Sequence, residues 1–124
     1  MTKIRLFLAN LAVGLLVIAV LGGNARAQVL YGSLTGEVTD QSSAVVPGAK
    51  VEALNVGTGV LRQATTDERG VYIFTNLQPG TYKVTVSANS FKTVIEGNVI
   101  VNANEIRRVD RAMQIASTSE TVEV

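Results

Sequence analysis

Asp67 and Glu68 are the one pair of adjacent carboxylates in this 124-residue chain, and paired carboxylates are what general acid–base chemistry uses. Such a pair works when its surroundings push the two pKa values apart, which requires a pocket. These two sit in Asp67-Glu68-Arg69-Gly70, a run that reads as an exposed turn. No catalytic residue is assigned. The chain contains neither histidine nor cysteine. A nucleophilic triad therefore has no imidazole base, and zinc loses both of its usual ligand types. Asp40, Asp67 and Asp110 could offer oxygens to calcium, but their spacing is not that of an EF-hand loop. Gly57-Thr58-Gly59 lacks the lysine and the following helix of a phosphate loop and reads as a turn. No metal and no cofactor is expected.

The elements that would position any site begin after a distinctive N-terminus. Met1-Thr2-Lys3-Ile4-Arg5 is a short basic head, and Leu6 to Leu21 is apolar apart from Asn10 and Gly14. Gly22-Gly23-Asn24-Ala25-Arg26-Ala27 is a small-residue tail ending in Ala-x-Ala. This order is that of a secretory signal peptide, with Ala25 and Ala27 in the peptidase pockets and Gln28 the first mature residue. The rival reading is an uncleaved anchor, for which the apolar block is short. With no cysteine after the block, a lipid anchor is excluded. Removing the leader leaves eight basic residues against ten acidic ones, a charge near −2. Nucleic-acid binding needs a basic footprint, and that is not one.

From Gly32 the hydrophobic period is close to two, the signal of half-buried strands. Leu34, Gly36 and Val38 share a face, as do Ala49, Val51 and Ala53, then Tyr72 and Phe74, then Tyr82, Val84 and Val86. Val99 and Val101 continue the pattern, and Val109, Met113 and Ile115 close it. One-sided strands of this kind must pair as two sheets face to face, which makes the fold class all-β, an antiparallel β-sandwich. Val60–Thr66 has no clear apolar face and reads as an edge strand. Arg111 shares parity with Val109 and Met113, so it must reach the rim or pair with a carboxylate.

The punctuation agrees. Val46-Pro47-Gly48 and Gln78-Pro79-Gly80 place Pro and Gly as a type II turn demands. Asp67 to Gly70 reads as a hairpin loop with Asp67 bonding the turn amides and Gly70 left-handed. Asn55-Val56-Gly57-Thr58-Gly59 reads as another.

Taken in order, these motifs carry a resemblance. Gly36-Glu37-Val38-Thr39-Asp40 comes first, then Val46-Pro47-Gly48-Ala49-Lys50-Val51, then Thr66-Asp67-Glu68-Arg69-Gly70-Val71-Tyr72-Ile73-Phe74. Asn76-Leu77-Gln78-Pro79-Gly80-Thr81-Tyr82-Lys83-Val84 and Ser90-Phe91-Lys92 follow. The set resembles the carboxypeptidase regulatory-like domain. That implies a transthyretin-like, immunoglobulin-like sandwich of about seven strands, here after an N-terminal signal helix. The closing Ser119-Glu120-Thr121-Val122-Glu123-Val124 resembles the segment that joins such a domain to the plug and barrel of outer-membrane proteins similar to TonB-dependent receptors. The resemblance implies the periplasmic N-terminal module of such a receptor without its barrel, as a truncated reading frame, a fragment or a stand-alone relative.

Relatives in this superfamily are often grouped under a carbohydrate-binding-like fold, so sugar recognition is the alternative. Sugars are gripped by exposed aromatic faces. Tyr72, Phe74 and Tyr82 have inward parity, and Tyr82 after Pro79-Gly80 resembles a tyrosine corner. Tyr31 and Phe91 are what remain.

The expected organisation is a signal peptide over 1–27, a linker over 28–31, the sandwich over 32–116 and a C-terminal linker over 117–124. The expected role is a non-catalytic, exported module of the periplasm or outer membrane. It meets a protein partner in the cell envelope, with carbohydrate as the alternative ligand, no nucleic acid, and membrane contact through the leader or a missing barrel only. An exposed edge strand would favour the protein partner, and a cluster of exposed aromatics the sugar. N-terminal sequencing of exported material should begin at Gln28, and a membrane-bound product that retains Met1 would sink the leader assignment.

Overall fold

Alternating small or apolar residues with polar ones gives β1 (Gly32–Asp40) one dry face, and the same pattern recurs along the chain. The structure is a computed structural model that describes residues 28–116. The expected cleavage residues Ala25 and Ala27 and the tail from Ser119 lie outside the described residues, whereas Gln28 is exposed at the beginning of them. The other strands are β2 (Lys50–Asn55), β3 (Leu61–Thr65), β4 (Val71–Leu77), β5 (Gly80–Ser87), β6 (Val94–Val101), β7 (Ile106–Arg108) and β8 (Arg111–Met113). One sheet has the order β4-β1-β7, with β8 also on β1, and the other has the order β3-β2-β5-β6. The expected sandwich is there. Its core is formed by Leu34, Val38, Val51, Tyr72, Phe74, Leu77, Tyr82, Val84, Val86, Val101 and Met113, with smaller residues between them.

Two details differ from an all-antiparallel sandwich of about seven strands. β7 and β8 run parallel to β1, because the chain leaves β6 at the rim of one sheet and enters the other sheet in the same direction as β1. They are also one path interrupted at Val109-Asp110. The Val109 carbonyl accepts the Tyr72 hydroxyl at 2.6 Å, and the Asp110 carboxylate takes the Glu37 amide at 2.8 Å. The interruption exchanges ladder bonds for side-chain bonds, leaving eight strands among the described residues.

Gly36 makes this arrangement possible. A Cβ there would lie 1.8 Å from the Val109 carbonyl oxygen and 2.7 Å from the Tyr72 ring. No side chain fits.

The turns follow their local chemistry with two corrections. Gly48 has a φ of +74°, as the Val46-Pro47-Gly48 turn demands. At Gln78-Pro79-Gly80, however, Gly80 is near-extended with a φ of +158° and already belongs to β5. The left-handed residue is Asn76, with a φ of 55°, because this corner carries the chain from one sheet to the other. Asp67–Gly70 has the expected bonds: the Asp67 carboxylate accepts the Arg69 and Val71 amides, and Gly70 has a φ of +73°. Yet it joins β3 to β4, which lie in different sheets, so it is a crossing and not a hairpin. Asn55–Gly59 does close a hairpin, between β2 and β3, with the buried Asn55 amide oxygen accepting from Gly57 and Thr58.

Ile115 is a third correction. It is exposed rather than inward, because after β8 the chain leaves the sheet and bridges to Phe91. Arg111 takes the carboxylate option by pairing with Glu96 on β6. Tyr82 is both core residue and corner clamp: it is buried, and its hydroxyl donates to the Gln78 carbonyl at 2.7 Å.

Removing the ring and its bond together in Tyr82→Ala should cost about 3–5 kcal/mol of the domain's ~5–15 kcal/mol. Tyr82→Phe, which loses the hydroxyl alone, should cost about 0.5–1.5 kcal/mol. Urea denaturation of the two variants beside the parent checks this, and an unchanged midpoint for Tyr82→Ala would overturn the core assignment.

Candidate functional site

The three aspartates that sequence alone nominates for chemistry are all engaged in holding backbone. Asp67 receives the amides of Val71 and Arg69, and these bonds, with nearby Arg69, hold its carboxyl below the ordinary range despite slight desolvation. Its neighbour Glu68 lies on the exposed turn and lines none of the recesses described below. Asp40 is held low first by the Ser42 hydroxyl at 2.6 Å and then by the Ser42 and Ala44 amides. Partial burial works to raise Asp110, but the Arg108 guanidinium and the Glu37 amide outweigh it and keep its carboxyl low. The three aspartates occupy separate turns, and no group of three or more metal-ligating side chains forms among the described residues.

Tyr72 is the strongest electrostatic anomaly. It is buried on the inner face of β4, and burial, with a smaller push from Asp110, raises its hydroxyl to about 12. It is a neutral hydrogen-bond donor at any physiological pH. Thr66 is equally committed: its hydroxyl accepts the Ala49 amide at 2.8 Å and donates to the Val46 carbonyl at 2.7 Å. Its own backbone bonds Ala49 and Gly48, which fixes the Pro47-Gly48 turn to the end of β3. Sequence reading missed the roles of Tyr72 and Thr66, since each bond spans many residues.

Three shallow recesses mark the surface. One of about 430 Å³ is lined by Glu37, Thr39, Ser43, Asp110, Arg111 and Ala112. A second, of about 310 Å³, lies near Lys50 and Ser87, and a third, of about 180 Å³, lies between Val60 and Tyr82. None presents an exposed aromatic face. Tyr72 and Phe74 stack edge to face inside the core at 6.0 Å, Tyr82 is buried, and Phe91 packs half-buried against the core. Tyr31 alone among the described aromatics is exposed.

What the surface does present is strand edges, and they differ. On β4 the outward backbone groups belong to Val71, Ile73 and Thr75, by parity with the β1 ladder. Val71 is occupied by Asp67, and the Arg62 guanidinium donates to the Thr75 and Asn76 carbonyls at 3.2 and 3.4 Å. β6 is broken by a register shift opposite Tyr82–Val84 and by Asn98 at a φ of 56°. β7 and β8 are three residues each.

β3, which sequence reading places at an edge, is different. It pairs with β2 without a shift from Leu54↔Leu61 to Lys50↔Thr65. Asn55–Val60 and Thr66–Ala49 bonds fix the parity, so Leu61, Gln63 and Thr65 turn both backbone groups away from β2. None of these groups finds a partner among the described residues. Leu61 and the preceding Val60 add exposed apolar side chains. This is an unguarded edge.

A family model described as the carboxypeptidase regulatory-like domain matches residues 33–114. No curated protein matches the chain. Among solved structures, the Bacillus anthracis TIE protein is similar at 20% identity and a TM-score of 0.61, over 70% of this chain and 17% of that one. A candidate carbohydrate-binding protein from Bacteroides uniformis is similar at 18% identity and a TM-score of 0.55, over 65% of this chain and 40% of that one. The group B streptococcus pilus 2b backbone protein is similar at 18% identity and a TM-score of 0.51, over 73% of this chain and 43% of that one. The chain thus spans less than half the length of each of these three, and at such identities the likeness is one of fold.

The shifted groups predict opposite behaviour at the two ends of the pH scale. A tyrosine raised in the fold stabilises it below its unfolded value of ~10, and that contribution is lost as pH climbs toward about 12. The lowered aspartates stabilise above their unfolded value of ~3.9, and their contribution is lost as pH falls through the folded values. Phenolate absorbance should show a late step near pH 12 that is missing from Tyr72→Phe. Persistence of that step in the variant would contradict the assignment.

Proposed function

We propose that this chain, which belongs to the carboxypeptidase regulatory-like domain family, is a non-catalytic module of the bacterial cell envelope that works by protein–protein contact. The open edge of β3 is the observation that carries this reading. A strand with free donors and acceptors at Leu61, Gln63 and Thr65 binds by adding another strand, where the main chain supplies affinity and alternate side chains supply selectivity. The leader pattern over 1–27 supports delivery to the periplasm or outer membrane. The resemblance to the N-terminal module of TonB-dependent receptor-like proteins supports a place in an outer-membrane transport system. The fold shared with a pilus backbone protein is compatible with a structural role in the envelope.

Carbohydrate binding is the second reading, supported by the fold shared with a candidate carbohydrate-binding protein. Against it stands the burial of Tyr72, Phe74 and Tyr82, which leaves Tyr31 as the one exposed aromatic among the described residues, without a second ring beside it. The recess at Glu37, Ser43 and Asp110 has no aromatic side chain in its lining.

A photo-crosslinking side chain placed at Gln63 in the producing cell should trap a discrete protein. The same group at Lys83, exposed in the middle of the same sheet, should not. Equal trapping at both positions, or none at Gln63 together with saturable glycan binding by calorimetry, would overturn the protein-contact reading.

A further inference from the structure

We infer that the strand added to β3 is β3 of a second copy of this chain, antiparallel and centred on Gln63. This rests on the reading of β3 as an acceptor edge and names its occupant. Leu61, Gln63 and Thr65 are three outward residues at a spacing of two, so a two-fold axis falls on the middle one. Gln63 then faces Gln63 of the second copy, and Leu61 faces Thr65 on either side. Each facing pair is of the kind that exchanges both N–H···O bonds.

Side chains fit the same register. On the outer face the exposed Leu61 gains the Thr65 methyl group, and the two Gln63 amides meet each other. At the other parity Arg62 lies opposite Ala64, and Arg62 is already turned toward the carbonyls of β4. It is the single charge in Leu61–Thr65, so no like charges oppose each other. Pairing with a different edge of the second copy is disfavoured. Its β4 is occupied at both ends by Asp67 and Arg62, which leaves Ile73 alone open, its β6 is bulged, and its β7 and β8 are short. Among the described edges β3 has the longest pairing without a register shift. Two-fold pairing also repeats every favourable contact. Five-residue strands bury less than the ~1,200 Å² at which stable complexes begin, so the pairing is weak and reversible.

The absence of cysteine makes the register testable in the full chain as the cell delivers it. In Gln63→Cys the two new thiols sit on residues whose Cα atoms are about 5.5 Å apart, within disulfide range. Mild oxidation should give a covalent dimer several-fold faster than with Ile95→Cys on the β6 edge. Leu61→Cys alone should give none, because the two copies of that residue lie roughly 13 Å apart along the strands. Mixed with Thr65→Cys it should give the heterodimer. Gln63→Lys, which sets like charges face to face, should abolish self-association in a sedimentation concentration series without moving the thermal midpoint. Gln63→Cys dimerising no faster than Ile95→Cys, or Leu61→Cys dimerising equally fast, would overturn the inference. Should the photo-crosslinker at Gln63 trap a different protein while Gln63→Cys stays monomeric, the second-copy inference falls and the protein-contact reading stands. Blank results in both sink both.

Discussion

The hydrogen bond from the Tyr72 hydroxyl to the Val109 carbonyl, passing over Gly36, is the constraint around which the rest of the sandwich is arranged. It links three neighbouring paths in one sheet: β4 gives the tyrosine, β1 gives the glycine, and the break between β7 and β8 gives the carbonyl. Turning that carbonyl inward costs β1 a ladder partner at Glu37, and Asp110 supplies a carboxylate oxygen in its place. The hydroxyl leaves no polar atom stranded in the core, since no buried side-chain nitrogen or oxygen lacks a partner among the described residues. A chain without disulfides has to fix its last strands by packing and hydrogen bonds, and this one does so at a single crowded point.

Two sheets of this size have four open sides, and each open side is a hazard as well as an opportunity. Two arginines address it directly. Arg62 reaches from β3 to the carbonyls at the end of β4, closing one flank of the sandwich. Arg111 reaches from β8 to Glu96 on β6, closing the other. The bulge in β6 and the shortness of β7 and β8 limit what can pair there. Among the described edges, β4 keeps one open residue at Ile73, whereas β3 keeps three in a row. Of these edges β3 offers the longest run of open backbone groups, and that is the reason the functional reading centres on Leu61–Thr65 and not on a recess.

How much of this was legible in the sequence depended on the range of the interaction concerned. Period two exposed the inner face of nearly every strand, and Ile115 failed because it belongs to a short bridge with Phe91 outside the sheets. Turn chemistry was readable where the side chain serves its own neighbours, as Asp67 and Asn55 do. The role of Tyr82 was readable because its carbonyl partner is four residues away. Tyr72 looked the same in sequence, but its partner is 37 residues distant, and the Glu37–Asp110 bond spans 73. Direction of pairing was hidden as well. Nothing local in Ile106–Met113 distinguishes a parallel neighbour of β1 from an antiparallel one, since that depends on which side of the sandwich the chain crosses. The edge β3 announced itself by the failure of periodicity, because a rim strand has little to bury.

The same economy bears on what such a module can recognise. Asp40 and Asp67 serve turns, Asp110 serves β1, the most perturbed titratable group is the structural hydroxyl of Tyr72, and Tyr72, Phe74 and Tyr82 are used inside. Among the described strands, the longest row of open backbone donors and acceptors is that of β3. Recognition by main chain is tolerant of the partner's side chains at every second position, because those point to the opposite face of the extended sheet. It is intolerant of proline and of anything that cannot lie extended. Under the proposed protein-contact reading, a domain built this way suits repeated attachment in an assembly better than discrimination among small ligands. The exposed side chains of Gln63 and Thr65 are not what holds the register with β2. That register is set from the two ends, by the Asn55 cap at the hairpin and by Thr66 at the Pro47-Gly48 turn. The outer residues of the β3 edge are therefore different from the residues that keep that edge in place.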